Sequence, residues 1–413
     1  VLRLAPGDTT GFDVEMRIRG APDSVTVAWV RHPEYDDRFW RYVENMRVEP
    51  AARGARASRE ACTEVTAAMP CDSARWRVVT AANGEATLRW RVRVPFERRP
   101  RASWRPFIAP TGALVGGPHS FPYIVGAERI PARVALNLPS GWRVSTALRA
   151  GTRGELVADD VHELVESPIL VGTLREWRFA VRGIPHRVAY WPKPNAPAFD
   201  TATFVNDLAE LARQADSLFG GMPYREFTYQ FQDEAYGGLE HPSSMTIGAP
   251  SDDLARDPKA ALDDAAHEYV HTWNLMAIRP AEYTGPTWKP VRPVPTLWFV
   301  EGLTIYYADA LARRGMLRRE GDLRERHLEE LLASYLGNPA YARFSPESIS
   351  RVSYNAGPEA LGDYSASIHQ AGEVIGFALD MLVREATQGR RSMDDVMRLL
   401  YRESRGTTGI ATR

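Results

Sequence analysis

Two histidines four positions apart, in the run His267-Glu268-Tyr269-Val270-His271, carry the clearest chemistry in the chain. On a helix they project from one face and can share a metal ion. Glu268, beside the first of them, is placed to hold a water on that metal and take its proton. A chance His-Glu-x-x-His in a chain this size is on the order of one in a hundred. A catalytic zinc takes three protein ligands and leaves a fourth position open, so one more ligand is needed. Leu297-Trp298-Phe299-Val300-Glu301-Gly302-Leu303-Thr304 sets a lone acid in an apolar helix, where an unpaired carboxylate is expensive to bury. Taken alone, Glu301 reads equally as a surface acid. Beside the histidines it is the candidate third ligand, and Zn2+, one per chain, the candidate cofactor.

A second group lies upstream, in Ala235-Tyr236-Gly237-Gly238-Leu239-Glu240-His241. The paired glycines Gly237 and Gly238 let a backbone come close to an extended substrate. Glu240 follows at the point where an acid binds a free amino terminus. Standing alone, this run also reads as a plain hairpin turn.

These residues must be held by an α+β chain with an antiparallel β domain over 1–185 and a mainly helical domain with a small mixed sheet over 186–413. In the first part Phe12–Ile18, Ser24–Val30, Arg75–Thr80, Ala86–Val94, Ala132–Leu138 and Trp177–Val181 alternate apolar and polar residues between turn residues. The arginines of Arg89-Trp90-Arg91-Val92-Arg93-Val94 read as a solvated sheet face. After the proline-rich Pro192-Lys193-Pro194-Asn195-Ala196-Pro197, Phe204, Leu208, Leu211, Ala215 and Leu218 follow helical spacing up to Gly220-Gly221. A strand over Glu226–Gln232 comes next. The spacing then predicts helices over 258–277, 297–314, 321–336, 365–388 and 392–403. Asp257-Pro258 opens the first of these, and Ser392 with Asp395 caps the last.

Composition bounds the partners. The 413 residues are 44% hydrophobic and 25% charged with a formal net charge of −1, values of a globular protein with no field to attract nucleic acid or an anionic membrane. Nearly all the basic charge is arginine. No run approaches the roughly 18–20 apolar residues of a membrane span. The two cysteines, Cys62 and Cys71, pair in an exported protein and stay free in a cytosolic one. With a first residue that is not methionine they lean towards a periplasmic or secreted location. The oligomeric state is not legible.

Gly237-Gly238-Leu239-Glu240-His241, then His267-Glu268-Tyr269-Val270-His271-Thr272-Trp273-Asn274, then Trp298-Phe299-Val300-Glu301-Gly302, in that order, resemble the glycyl aminopeptidase family of gluzincin metallopeptidases. The resemblance spans roughly 185–403, and Glu163–Ile169 also looks familial. It implies a thermolysin-like catalytic domain, a zinc site of His267, His271 and Glu301, Glu268 as general base and Glu240 as anchor for the amine of a peptide substrate. It further implies removal of small first residues, Gly or Ala. Many members carry a PDZ domain after the catalytic one, so a further helical stretch and such a domain are expected beyond Arg413 in a longer protein. One position departs. Where the family has a tyrosine taken to stabilise the oxyanion, this chain reads His369-Gln370-Ala371-Gly372. His369 can donate to an oxyanion in its place, or Tyr364 can reach in, or the position is vacant. An endopeptidase of unfolded or exported proteins and a weakly active or inactive binding homologue are the competing readings.

Overall fold

The structure, a computed structural model, describes residues 1–30, 39–49, 56–60, 74–94, 100–281, 283, 294–317, 324–353 and 366–404. Cys62, Cys71 and Tyr364 lie outside the described residues. The first half is built of β-sheets. Gly11–Ile18 pairs antiparallel with Ala86–Arg93 along its whole length, inside a five-stranded sheet completed by Leu136–Asn137, Leu2–Arg3 and Val43–Val48. A four-stranded sheet of Tyr123–Ile124, Ser24–Ala28, Arg75–Val79 and Arg56–Arg59 shares its core. The period-two pattern explains the packing: Ala86, Leu88, Trp90 and Val92 are buried, and the rings of Trp29, Trp76 and Trp90 meet edge to face between the sheets. The arginines alternate outward and find acids, as in Arg91–Asp8 at 2.6 Å and Arg93–Glu44 at 2.8 Å. Such half-exposed pairs add little stability; they solvate the sheet face.

The second half surrounds a mixed five-stranded sheet in the order Arg175–Val181, Ile184–Trp191, Phe227–Gln232, Ser244–Gly248, Gly238–Glu240. The stretch Trp177–Val181, read from its pattern with the first half, is a strand but hydrogen-bonds to Ile184–Trp191 in this sheet. The crossover to Phe227–Gln232 is parallel and runs through the helix Thr201–Phe219. Asp200 caps that helix by accepting from the Ala202 and Thr203 N–H groups, and Gly220, at φ +76°, closes it. Further helices cover Leu262–His271, Leu297–Arg314, Arg324–Gly337, Ile368–Ala386 and Met393–Ser404. The cap predicted at Ser392 forms, with its N–H on the Asp395 carboxylate. Among the described residues no helix is long and apolar enough to cross a membrane.

The helix expected over 258–277 is shorter at both ends. Asp257 ends the preceding short helix, Ser251–Arg256, and its carboxylate accepts from the Lys259 N–H, so the chain turns before it can start again. Beyond His271 the N–H groups of Met276 and Ile278 reach back five residues, to His271 and Trp273, and Leu275 takes φ +148°. The helix therefore dissolves into tight turns behind the second histidine.

Strand Phe227–Gln232 joins the halves. Phe227, Tyr229 and Phe231 face the helices. The alternate polar face is buried as well: Gln230 donates to the Ser145 and Pro168 carbonyls, and Gln232 to that of Ser103. In return Arg101 donates to the carbonyls of Asp233 and Glu234 and to the Gln232 side chain, while Arg101–Ala102 pairs parallel with Ala235–Tyr236.

His186 lies inside the helix-facing core, stacked on Phe179 at 4.7 Å. Its Nδ1–H donates to the Ile184 carbonyl, so Nε2 accepts from the hydroxyls of Tyr224 at 3.0 Å and Tyr269 at 3.3 Å. Burial pushes this imidazole down to about 4. Unfolding restores a value near 6.5, so the unfolded chain binds the proton first. Stability is complete above pH 6.5 and is lost as pH falls towards 4. Between pH 6.5 and 5 the loss is about 2 kcal/mol. Urea unfolding at those two pH values is expected to show it in the wild type and to show a correspondingly smaller loss in His186→Phe.

Candidate metal centre and its surroundings

His267 and His271 stand one turn apart on Leu262–His271 with their Nε2 atoms 3.0 Å from each other. Glu301 Oε2, from the facing helix Leu297–Arg314, lies 3.3 Å from the first and 3.5 Å from the second. A tetrahedral shell with zinc–ligand distances near 2.0–2.1 Å has edges of about 3.3–3.4 Å. These three edges fit such a shell. His271 Nδ1 faces the Asn274 carbonyl at 3.1 Å and donates to it, which orients Nε2 towards Glu301 and makes it the nitrogen a metal would take in exchange for a proton. Two imidazole nitrogens and a carboxylate turned on one point make a cradle for a cation.

The charges follow the geometry. Burial works to raise the Glu301 carboxyl, but the neighbouring His271 and His369 rings and the hydrogen bonds from His267 and His271 outweigh it and hold it well below the usual range. Burial depresses His267 to about 4 despite the Glu301 carboxylate, keeping it neutral. For His271 burial loses to the same carboxylate, and the ring is pushed well above its ordinary value.

Glu268 and Glu240 line the same space. Both are buried, and one oxygen of each, Glu240 Oε1 and Glu268 Oε2, has no hydrogen-bond partner. With His271 their ligand-capable atoms lie within 4.8 Å of one another. Burial first, then the charge of Glu240, drives the Glu268 carboxyl well above the usual range. Burial also raises Glu240, with His271 opposing. The double glycine has a concrete reason: a Cβ at Gly238 would stand 2.4 Å from the Cγ and Oε1 of Glu268. Gly237, at φ +67°, lets the strand Gly238–Glu240 start there. His241 continues past it and holds the Glu166 carboxylate at 3.1 Å through Nδ1, tying the end of that strand to the first half.

Two features missed by sequence reasoning position the cluster. Asn274, fully buried, donates from Nδ2 to the Phe299 and Val300 carbonyls and to Thr304 Oγ1. It pins the turn behind His271 to the helix that carries Glu301. That helix in turn crosses Ile368–Ala386 at two glycines. A Cβ at Gly302 would come 2.1 Å from the Gly372 Cα, and one at Gly372 would come 1.9 Å from the Trp298 carbonyl oxygen. The signal was in the sequence as glycines inside apolar helices, but their mutual contact was not. One turn before Gly372 is His369, half-exposed, with Nε2 2.9 Å from Glu301 Oε2. The structure thus brings together His267, Glu268, His271, Glu301, Glu240, Gly238 and His369.

An alanine in a helix interior normally gains about 1 kcal/mol over glycine. At Gly302 the sign is expected to reverse, because the obstruction is backbone. Gly302→Ala should lower the melting temperature and weaken zinc binding together, measured by calorimetry on the same preparation.

Residues 260–375 match the M61 glycyl aminopeptidase family, and residues 39–173 match the Peptidase M61 N-terminal domain, together more than half of the chain. Among solved structures, an aminopeptidase N family protein from Idiomarina loihiensis superposes with a TM-score of 0.83 at 21% identity, covering 99% of this chain and 71% of that one. An M1 zinc metallopeptidase mutant from Deinococcus radiodurans, bound to a Tyr-Ser-Ala substrate, gives a TM-score of 0.56 at 14% identity, covering 100% of this chain and 86% of its own. Yeast LTA4 hydrolase in complex with bestatin gives 0.56 at 16% identity, with 100% and 62% covered. No curated protein sequence matches the chain. The chain belongs to the M61 glycyl aminopeptidase family, and it is an aminopeptidase.

Proposed function

We propose that this enzyme removes single small residues, Gly or Ala, from the free amino end of peptides, with one zinc per chain held by His267, His271 and Glu301. The observation that carries the reading is the convergence of those three ligand atoms beside two buried carboxylates that each keep an unpartnered oxygen. Zinc in such a site lowers the pKa of water towards about 7 and polarises a carbonyl. Glu268 takes the proton of the attacking water and delivers it to the leaving amine; its raised affinity for protons suits it to carry one between the two. Glu240 binds the substrate ammonium, a cation that compensates an acid too buried to be solvated. His369 donates to the oxyanion from the open side of the cluster, in the place of the family's tyrosine. The Tyr-Ser-Ala substrate held by the Deinococcus radiodurans relative is consistent with a peptide in this cleft.

Two features make the reading testable. Glu268→Gln should keep stoichiometric zinc and lose about 10²–10⁴-fold in kcat on Gly- and Ala-anilides. Retained activity removes Glu268 from its role. Acetylation of the substrate amine should reduce kcat/KM by about 10²-fold or more, since it leaves Glu240 buried against a neutral group. Acetylated and free peptides cut at equal rates would make the enzyme an endopeptidase.

A further inference from the structure

Recognition of the amine by Glu240 is the same for every free amino terminus, so it cannot choose among first side chains. The choice needs an apolar surface next to the cleft, and the segment of the first half that pairs with Ala235–Tyr236 supplies one. Arg101 is buried with its guanidinium 3.6 Å above the centre of the Phe107 ring. Ser103 donates from its backbone to the Tyr236 carbonyl at 3.0 Å and from Oγ to the Thr246 carbonyl at 3.2 Å, and accepts from Gln232 Nε2 at 2.8 Å. The next residue is Trp104. Its ring lies against Gly237, where a Cβ would stand 3.1 Å from it. One residue on, the backbone of Gly238 touches Glu268. Of the two adjacent glycines, Gly237 thus packs on a tryptophan ring and Gly238 on the general base. Tyr236 meets that ring edge to face at 6.3 Å and is itself 55% exposed.

We infer that Trp104 and Tyr236 form the wall of the cleft against which the substrate's first side chain rests, and that Trp104 sets the upper limit on its size. The inference rests on the aminopeptidase reading above and adds to it the residues that select the substrate. A free tryptophan would swing aside for a larger side chain. This one follows a segment hydrogen-bonded at Arg101 and Ser103, and it packs on a glycine that a larger residue could not replace without strain, so it excludes by shape. Steric exclusion of this kind is worth about 10–200-fold per methylene group, enough to separate Gly and Ala from Leu.

The test compares zinc-loaded wild type with Trp104→Ala, the milder Trp104→Leu and the surface variant Tyr236→Ala, all verified as folded by melting curves. Binding of glycine hydroxamate and leucine hydroxamate is measured by titration calorimetry, and kcat/KM on Gly- and Leu-anilide alongside. The leucine-to-glycine ratio is expected to rise about tenfold or more in Trp104→Ala in both measurements, and by less in the other two. A ratio within twofold of wild type in the folded variants, or a fall in it, overturns the wall. If wild type binds neither hydroxamate, the pocket is absent and both proposals fall. If the hydroxamate ratio shifts while acetylated peptides are cut as fast as free ones, the wall stands and the aminopeptidase specificity alone is lost.

Discussion

Four of the six ionisable groups at the centre of the second half, Glu240, Glu268, His271 and Glu301, are less than a tenth exposed. Three of them are carboxylates, and no arginine or lysine is ion-paired with them among the described residues. Isolated carboxylates in such a space cost several kcal/mol each. The surrounding architecture is what makes the arrangement persist: a short helix holds His267, Glu268 and His271, and a facing helix, a late helix and one edge strand hold Glu301, His369 and Glu240. A cation bound there would convert this repulsive cluster into a stabilising one, so that the chemistry and the stability of the centre would have the same origin.

The parts legible in the sequence are those in which a residue's environment repeats at a fixed local period. The strand Ala86–Arg93 and the helix Thr201–Phe219 follow from alternation and from three- and four-residue spacing, with turn and cap residues at their ends. The metal motif is local in the same sense, since the four-residue offset of His267 and His271 is itself a geometric statement. What was not legible depends on the partner. Thr228, Gln230 and Gln232 look like a solvated strand face, yet they are buried against the first half with their amides occupied. Trp177–Val181 alternates like its predecessors, and only its hydrogen-bond partner shows which sheet it joins. The early end of the histidine helix is set by Asn274 and by the carbonyls it bonds from another helix.

At the site the same division holds. Glu301 was suspected because an acid sat in an apolar run, a local oddity. Gly302 and Gly372 were visible as residues, but their role lies in an approach between two helices separated by a long stretch of chain. His369 shows the limit most clearly. By position it answers for a missing tyrosine, while its Nε2 is turned towards the carboxylate of Glu301, an alignment that only the crossing of those helices produces. An imidazole there reaches a zinc-ligand candidate directly, through a ring nitrogen 2.9 Å from its carboxylate.

The hydrogen bonds at Arg101 bear on how the molecule comes apart. The carbonyls of Asp233 and Glu234, the Gln232 amide and the Thr246 carbonyl all take partners from residues 101–103. Remove the first half and these groups turn to water, together with a sheet face that is dry in the intact molecule. The seam therefore couples the two halves: each covers polar and apolar surface of the other, and loosening the segment at Arg101 uncovers the strand that runs on into Gly237 and Gly238.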